Sequence, residues 1–403
     1  PQSKSPGYRT TQSSAATFSK KMPRPDQMLT QRADRSSSAE IQLDGLLGVA
    51  VMDRPKALNA LDHTMIRELL TIVETVESDA SIRGLWIESS AEKAFCAGGD
   101  VRDVTNHGQA GGLTDLSNSS DYLADEYLLD VWLRYCSKPV FTWGDGYIMG
   151  GGMGVFQGAD VRFVTEYSSL AMPEVRIGFV PDCGGSWFLN HVPKGLGICL
   201  AMSGATVGAA DGCWLNLADW LLPRAEKSTL FDAVLALNYA SKSQALAELG
   251  SILQEATTES PRQGPWEENG ERLANSIRHQ TPLNVWHAMQ AWYHDVPELF
   301  IGLEQASPGA AMVAGYQQQR MKYQNLIHAV LQEHDIGMQM LSDGEWCEGV
   351  RALLIDKDKN PQWRFATIEE VTPDWIQAML APMEWTTTHP LAGKLAAKGL
   401  LHD

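Results

Sequence analysis

Apolar residues along the chain fall into two textures. From residue 46 to about 222, short apolar runs of strand length alternate with stretches of helical spacing. Residues 46–52 form a continuous apolar run of the buried-strand kind, and residues 62–78 place Met65, Ile66, Leu69, Leu70, Val73 and Val76 on one helical face, with Asp62 positioned to cap it. Residues 84–88 predict a second strand. A polar, glycine-containing stretch over 106–120 leads into a helix through Leu123, Tyr127, Leu128, Val131 and Leu133, followed by a strand over 139–143. A glycine-dense turn at 144–154 opens another helix, and short strands are predicted at 161–164 and 170–172. Such strand–helix–strand repetition implies an α/β fold with a parallel sheet.

Near Pro223 the texture changes. Strand patterns nearly vanish, and helices are predicted at about 225–256, 268–279, 282–298, 309–333 and 341–355, punctuated by Pro261, Gly264, Pro265 and Pro308. The pattern therefore divides the chain into an α/β core at 39–222 and a helical region at 223–403. Residues 1–38 carry seven Lys or Arg against Asp26 and Asp34, are rich in Ser, Thr and Gln, and lack apolar periodicity. They are expected to form a mobile extension, which reads equally as an organelle transit peptide or as a plain disordered tail.

Composition narrows the function classes. Of 403 residues, 44% are hydrophobic and 20% charged, values of a globular chain and not of a disordered or fibrous one. Thirty-two basic residues against 49 acidic ones leave a net charge of -17, which argues against nucleic acid or an anionic membrane surface as the main partner. No apolar run reaches the length of a membrane span. Six scattered cysteines without a C-x-x-C pair suggest neither a disulfide framework nor a zinc ribbon, and point to a reducing compartment. His328 and His334 sit six residues apart on nearly opposite faces of a predicted helix, so no histidine cluster with metal-ligand spacing is expected.

Three segments carry candidate chemistry. Two glycine turns, FCAGGD at 95–100 and GDGYIMGGGMG at 144–154, each follow a predicted strand. Glycine lets a backbone N–H approach a ligand atom, and a helix N-terminus adds free N–H groups, although tight turn geometry alone would also account for either segment. The third is AMPEVRIGFVPDCGG at 171–185, where Glu174 and Asp182 stand in a proline-, glycine- and aliphatic-rich context. Apolar surroundings raise carboxyl pKa values towards neutrality and suit such groups to acid or base work.

Taken together with DRPKALNAL at 53–61, these segments resemble the crotonase (enoyl-CoA hydratase/isomerase) superfamily. The resemblance implies a crotonase fold of repeated β-β-α units with an extended helical C-terminal region. It also implies an acyl-CoA substrate and oxyanion donors in the N–H groups of Gly99 and Gly151. CoA-binding positions implied in the same way are Arg54, Lys56, Ala57, Leu58, Ala97, Gly99 and Asp100, with Arg54 and Lys56 as the basic mouth. Hydratases of the family carry a glutamate at the position of Gly154. Its absence here, with Glu174 and Asp182 retained, resembles instead the branch that hydrolyses 3-hydroxyisobutyryl-CoA in valine breakdown. That branch makes Glu174 and Asp182 catalytic, and it implies a substrate contact at Glu126 from the Asp125-Glu-Tyr helix, together with Gly151, Glu174 and Asp182. The segment at 348–364 resembles its C-terminal signature, with Phe365 departing from it.

No cofactor or metal is implied beyond the CoA of the substrate itself. The resemblance leaves a homo-oligomer open, and fits a bacterial cytoplasm or a mitochondrial matrix. Alternatives are a hydratase, isomerase or thioesterase acting on another acyl-CoA, and a non-catalytic binding module of the same fold. A nucleotide-dependent oxidoreductase ranks last, because the glycines at 150–155 do not complete a dinucleotide fingerprint.

Overall fold

The computed structural model describes residues 38–44, 46–101, 104, 116–256 and 263–401. The expected mobile extension, apart from Ser38, lies outside the described residues, as do residues 106–115 of the polar stretch predicted at 106–120.

Two sheets form the α/β half. The larger contains six strands: β1 (Ala39–Asp44), β2 (Leu47–Met52), β3 (Gly84–Ser89), β5 (Val140–Gly144), β7 (Val161–Val164) and β10 (Trp220–Leu221), in that spatial order. All of its pairings are parallel except β1 with β2. The smaller sheet is built from β4 (Ala94–Cys96), β6 (Tyr147–Met149), β8 (Ser169–Ala171) and β9 (Val207–Gly208). Its first three strands run parallel, each a few residues after a strand of the larger sheet, which gives the repeated β-β-α arrangement.

The first helix, α1 (His63–Ser78), is capped as its sequence predicts, Asp62 Oδ1 accepting the N–H of Met65 at 2.8 Å. The next described in full, α2 (Ser117–Tyr135), begins at Ser117, so residues 117–120 belong to the helix and not to the polar stretch before it. After it, α3 (Gly151–Gly158) starts immediately after Gly150, whose φ of 52° and ψ of -127° only glycine adopts readily. Short helices α4 (Gly185–Phe188), α5 (Gly197–Ser203) and α6 (Ala209–Trp214) complete this half.

The C-terminal half is helical, with more breaks than periodicity predicts. Residues 225–256 form α7 (Lys227–Ala236) and α8 (Lys242–Ala256), because Ser241 Oγ accepts the N–H of Gln244 and starts a new helix. Then come α9 (Pro265–Ile277) and α10 (Pro282–Asp295). The predicted helix at 309–333 is α11 (Pro308–Met321) and α12 (Leu326–Asp343), divided where Asn325 Oδ1 caps the N–H of His328. Residues 345–355 are α13 (Glu345–Val350) and a π-helical turn, and α14 (Pro373–Met379) and α15 (Pro390–Ala397) end the fold.

Buried side chains of both halves form one continuous core, running from Met65 and Phe156 through Val175 to Met312, Met340 and Leu395. A second cluster lies on the opposite face of the larger sheet, where Trp86, Trp143 and Phe163 are covered by Leu230 and Val234 of α7 and Leu249 of α8. The parallel strands are therefore apolar on both faces, as such strands must be. Among the described residues no helix is long and apolar enough to cross a membrane.

Candidate active site

The two glycine turns meet because their strands pair. With β4 beside β6, a Cβ built on Gly150 would lie 3.5 Å from the Cα of Gly98. Gly98, at φ 108°, shares the need for glycine. Leu61 donates its N–H to the carbonyl of Gly98 at 2.8 Å and accepts the N–H of Asp100 at 2.7 Å. Parallel pairing of this kind turns the N–H of the intervening Gly99 to the other side. Gly151 is the first residue of α3, where an N–H has no intrahelical partner. Among the described residues neither the N–H of Gly99 nor that of Gly151 meets an acceptor.

Carboxyl groups surround these glycines. A Cβ on Gly150 would fall 2.8 Å from Glu174 Oε1, and one on Gly151 only 2.1 Å from Glu126 Oε1. Glu126 comes from the middle of α2. Glu174 opens a 3-10 turn (Glu174–Ile177) directly after β8, and Gly150 donates its N–H to Ala171 three residues before it. Contacts from both halves clamp that turn: Ser307 and Ile301 of the C-terminal half meet it, Ser307 donating its N–H to Val175 O at 2.8 Å and Ile301 O accepting from Arg176 Nη2 at 2.6 Å, and Gly204 O of the α/β half accepts from the same Nη2 at 2.6 Å. Asp182 approaches from the following loop, where Tyr127 Oη donates to its Oδ2 at 2.6 Å. Carboxyl oxygens of Glu126 and Asp182 and the thiol of Cys183 all lie within 4.8 Å of one another. The structure thus brings Gly99, Gly151, Glu126, Glu174 and Asp182 together.

The three acids are almost fully enclosed, Glu126 being 3% exposed, Glu174 7% and Asp182 6%. One oxygen each of Glu126 and Glu174 has no hydrogen-bond partner. Burial, followed by the charge of Asp182, pushes both glutamates well above the ordinary carboxyl range. Burial also raises Asp182, but only to about 6, because the Tyr127 hydroxyl and the Cys183 thiol favour its ionised form. Three carboxyls so close cannot all be ionised without a cation. They titrate as a set, with protons shared near neutral pH.

The CoA positions implied by the sequence also converge. A 3-10 turn at Pro55–Ala57 is followed by left-handed Leu58 and Asn59, and Ala97 donates its N–H to Leu58 O at 3.1 Å. This lays residues 54–61 alongside 97–100. Arg54 is bound to Asp62 at 3.0 Å and to Asp100 at 3.1 Å, whereas Lys56 is exposed. Of the two cations assigned to the mouth, Arg54 is already neutralised by carboxylates.

Sequence patterning missed Tyr127, Asp130 and Glu333. Asp130 follows Glu126 by four residues on α2, a spacing that places both on one helical face. Glu333 sits on α12 with no local motif at all. The histidine expectation also needs correction, since folding groups His334 with Asp335 and His389, ligand atoms within 4.8 Å of one another. His334 Nε2 faces the carbonyl of Ser120 at 3.1 Å and so carries its proton. His389 Nδ1 accepts the N–H of Ala392 as the cap of α15, which leaves the proton on Nε2, the atom facing Asp335 Oδ1 at 3.5 Å. His389 thus turns a protonated nitrogen towards Asp335, while the Nδ1 of His334 is buried without a hydrogen-bond partner.

Comparison with known proteins identifies the family. The sequence profile of the family described as "Enoyl-CoA hydratase/isomerase" matches residues 47–380. The chain is similar to the mitochondrial 3-hydroxyisobutyryl-CoA hydrolase of Gallus gallus, 29% identical over 88% of this chain and 91% of that protein. It is also similar to the Homo sapiens protein of the same name, 27% identical over 86% and 89%. Among solved structures it resembles a carnitinyl-CoA dehydratase from Mycobacterium thermoresistibile, with a TM-score of 0.75 and 30% identity over 86% of this chain and 97% of that one. An enoyl-CoA hydratase from Rhodobacter sphaeroides 2.4.1 gives a TM-score of 0.73 and 27% identity over 86% and 98%. With its turns, its sheets and a match spanning most of its length, the chain belongs to the enoyl-CoA hydratase/isomerase family, the crotonases, and is an acyl-CoA enzyme.

Proposed function

We propose that this chain hydrolyses 3-hydroxyisobutyryl-CoA to 3-hydroxyisobutyrate and CoA, as in valine breakdown. One observation carries the reading: Glu126, Glu174 and Asp182 are buried together beside the unpaired N–H groups of Gly99 and Gly151. The names of the curated relatives support the same substrate.

In this mechanism the two N–H groups receive the thioester oxygen. Charge that develops there during attack gains about 3–4 kcal/mol from each fixed donor. Glu174 acts at the carbonyl carbon, either directly, forming a mixed anhydride that water cleaves, or by taking a proton from an attacking water. In both routes the C–S bond breaks, the thiolate leaves with the bonding pair, and it is protonated from the carboxyl set. Asp182 exchanges protons with that set, and Glu126 accepts the hydroxyl of the acyl chain. Thioester hydrolysis transfers no electrons, so the side chains suffice and CoA enters only as part of the substrate. Lys56 offers the exposed positive charge for its phosphates.

The test is release of free thiol from 3-hydroxyisobutyryl-CoA, measured beside hydration of crotonyl-CoA. E174Q and D182N are expected to abolish thiol release while retaining CoA binding, and full turnover by both variants would refute their roles. A second reading, hydration or dehydration of an acyl-CoA, is favoured by the two similar solved structures, one a carnitinyl-CoA dehydratase and the other an enoyl-CoA hydratase. Hydration without thiol release selects it.

A further inference from the structure

Asp130 takes no part in the reaction just described, yet it is 3% exposed and neither of its oxygens meets a hydrogen-bond partner. A buried carboxyl left unsatisfied needs a physical reason. Its position follows from the packing of α2 on α3, whose contact face is Gly151, Gly154 and Gly158. Built on those residues, a Cβ would fall 2.1 Å from Glu126 Oε1, 2.5 Å from Asp130 Oδ2 and 2.8 Å from Leu133 Cβ, respectively. The glycines therefore let α2 approach and press both acids of that helix against the start of α3. On the other side is Cys183, whose Cβ would lie 2.7 Å from a Cβ at Gly154.

The groups acting on Asp130 are Glu126 from its own helix, Asp182 and Cys183 from the turn, and Glu333 from α12. The α3 residues facing it are Gly154 and Gly158. Every one of the titrating neighbours is an acid, and the one group among them that favours the ionised form, the Cys183 thiol, is a weak donor. An ionised carboxylate sealed there with no cation and only a weak thiol donor would cost several kcal/mol.

We propose that Asp130 is a positioning residue of this site: a carboxylic acid that stays protonated at working pH, so that its O–H dipole supports ionisation of the neighbouring Glu126 and Asp182 carboxyls. The proton remains on Asp130 throughout. Were Asp130 ionised, its charge would instead push both neighbours towards their neutral forms.

Two isosteres separate these states, since Asn keeps a neutral donor and Leu keeps only the shape. The first readout is independent of activity: infrared spectra of wild type and D130N at pH 7. The difference between the two spectra is expected to contain a protonated-carboxyl C=O stretch belonging to Asp130, beside those that the glutamates give in both proteins. The second is the pH profile of thioester hydrolysis, the only arm that rests on the hydrolase reading. D130N is expected to keep the acid limb of kcat/KM in place, while D130L moves it up by about one pH unit, a loss of about tenfold on the acid side. The proposal is overturned by identical infrared bands in the two proteins, by an unmoved profile in D130L, or by a downward shift in D130N, the sign of a removed negative charge. Should D130L fail to fold, the infrared band and the D130N profile still decide. A chain without thioesterase activity sinks the hydrolase reading and leaves the infrared comparison to judge Asp130.

Discussion

Glu333 Oε2 accepts the N–H of Gly184 at 2.8 Å, joining the C-terminal helix α12 to the turn that carries Asp182. Its other oxygen accepts the N–H of Ser186 at 2.8 Å and the hydroxyl of Ser186 at 2.5 Å. The turn needs such a clamp, because Cys183 and Gly184 are successive left-handed residues with φ of 53° and 80°. A non-glycine residue held there costs about 1 kcal/mol or more, and it persists only where surrounding bonds over-determine it. Donors from the α/β half and an acceptor from the helical half thus fix one candidate acid.

Removal of that clamp should affect turnover before substrate affinity. In E333A three donors lose their acceptor, each buried one costing roughly 1–3 kcal/mol, so the thermal midpoint should drop clearly. E333Q keeps one acceptor oxygen and the side-chain volume. It should fold, bind CoA esters with wild-type affinity, and lose kcat on the order of tenfold or more as Asp182 drifts. Paired measurement of kcat and KM checks this, and a rise in KM at constant kcat would assign Glu333 to substrate binding instead.

Tyr127 is expected to set the acid limit of the proposed activity. Its hydroxyl donates to Asp182 at 2.6 Å and stabilises the ionised carboxyl, opposing the burial that raises Asp182 to about 6. Activity that needs this carboxylate should fall as pH drops through about 6, although the macroscopic value belongs to the coupled carboxyls together. In Y127F the donor is gone. A hydrogen bond to a charged group is worth about 1.5–3 kcal/mol, so the acid limb should move up by roughly one to two pH units. A kcat/KM profile across pH 4.5–9 reads the shift, and an unmoved limb would detach it from Asp182.

Local pattern revealed the elements and most of the candidate site. Glu174 and Asp182 stood out because ordinary surface carboxylates do not sit among prolines, glycines and aliphatic residues. The glycines of the two turns stood out because of their density. What local pattern could not show were partners supplied from far along the chain. Glu333 lies among helix formers on α12, and its role arises only when Gly184 folds against it. His389 likewise joins His334 in space and not in sequence. Two long helices were predicted where four exist, since Ser241 and Asn325 lie within good helix formers and break them by capping, a signal weaker than the periodicity around it.

Gly151 offers a direct steric test. A Cβ at this position would lie 2.1 Å from Glu126 Oε1 and 3.3 Å from Leu61 Cδ1, so G151A must displace the carboxyl or tilt the first turn of α3. Either change would misplace the N–H that the proposed mechanism offers to the thioester oxygen. Loss of one such donor costs about 10²–10³ in kcat. G151A should therefore retain its circular dichroism spectrum and lose at least about a hundredfold in thiol release. A variant with near wild-type turnover would remove Gly151 from the oxyanion role.

His334 provides a stability prediction with an unambiguous sign. It is wholly buried, and burial lowers its pKa from an ordinary 6.5 to about 4. Because the folded value lies below the unfolded one, the unfolded chain binds the proton more readily. The contribution of neutral His334 is therefore complete above about pH 6.5, is lost as pH falls from there towards 4, and changes no further below. A shift of that size corresponds to about 3 kcal/mol. Asp182 and Glu333 act in the opposite sense. Their folded values, about 6 and about 7, are raised, so the stability they confer is greatest in acid and is lost as pH rises through those values. The net profile of wild type mixes both trends, and a difference measurement isolates the histidine. H334Q cannot titrate, and its amide can still donate to the Ser120 carbonyl. The stability advantage of wild type over H334Q, from urea unfolding at several pH values, should shrink by about 3 kcal/mol between pH 7 and pH 4. A constant difference over that range would show that His334 does not titrate between the folded and unfolded states as its burial requires.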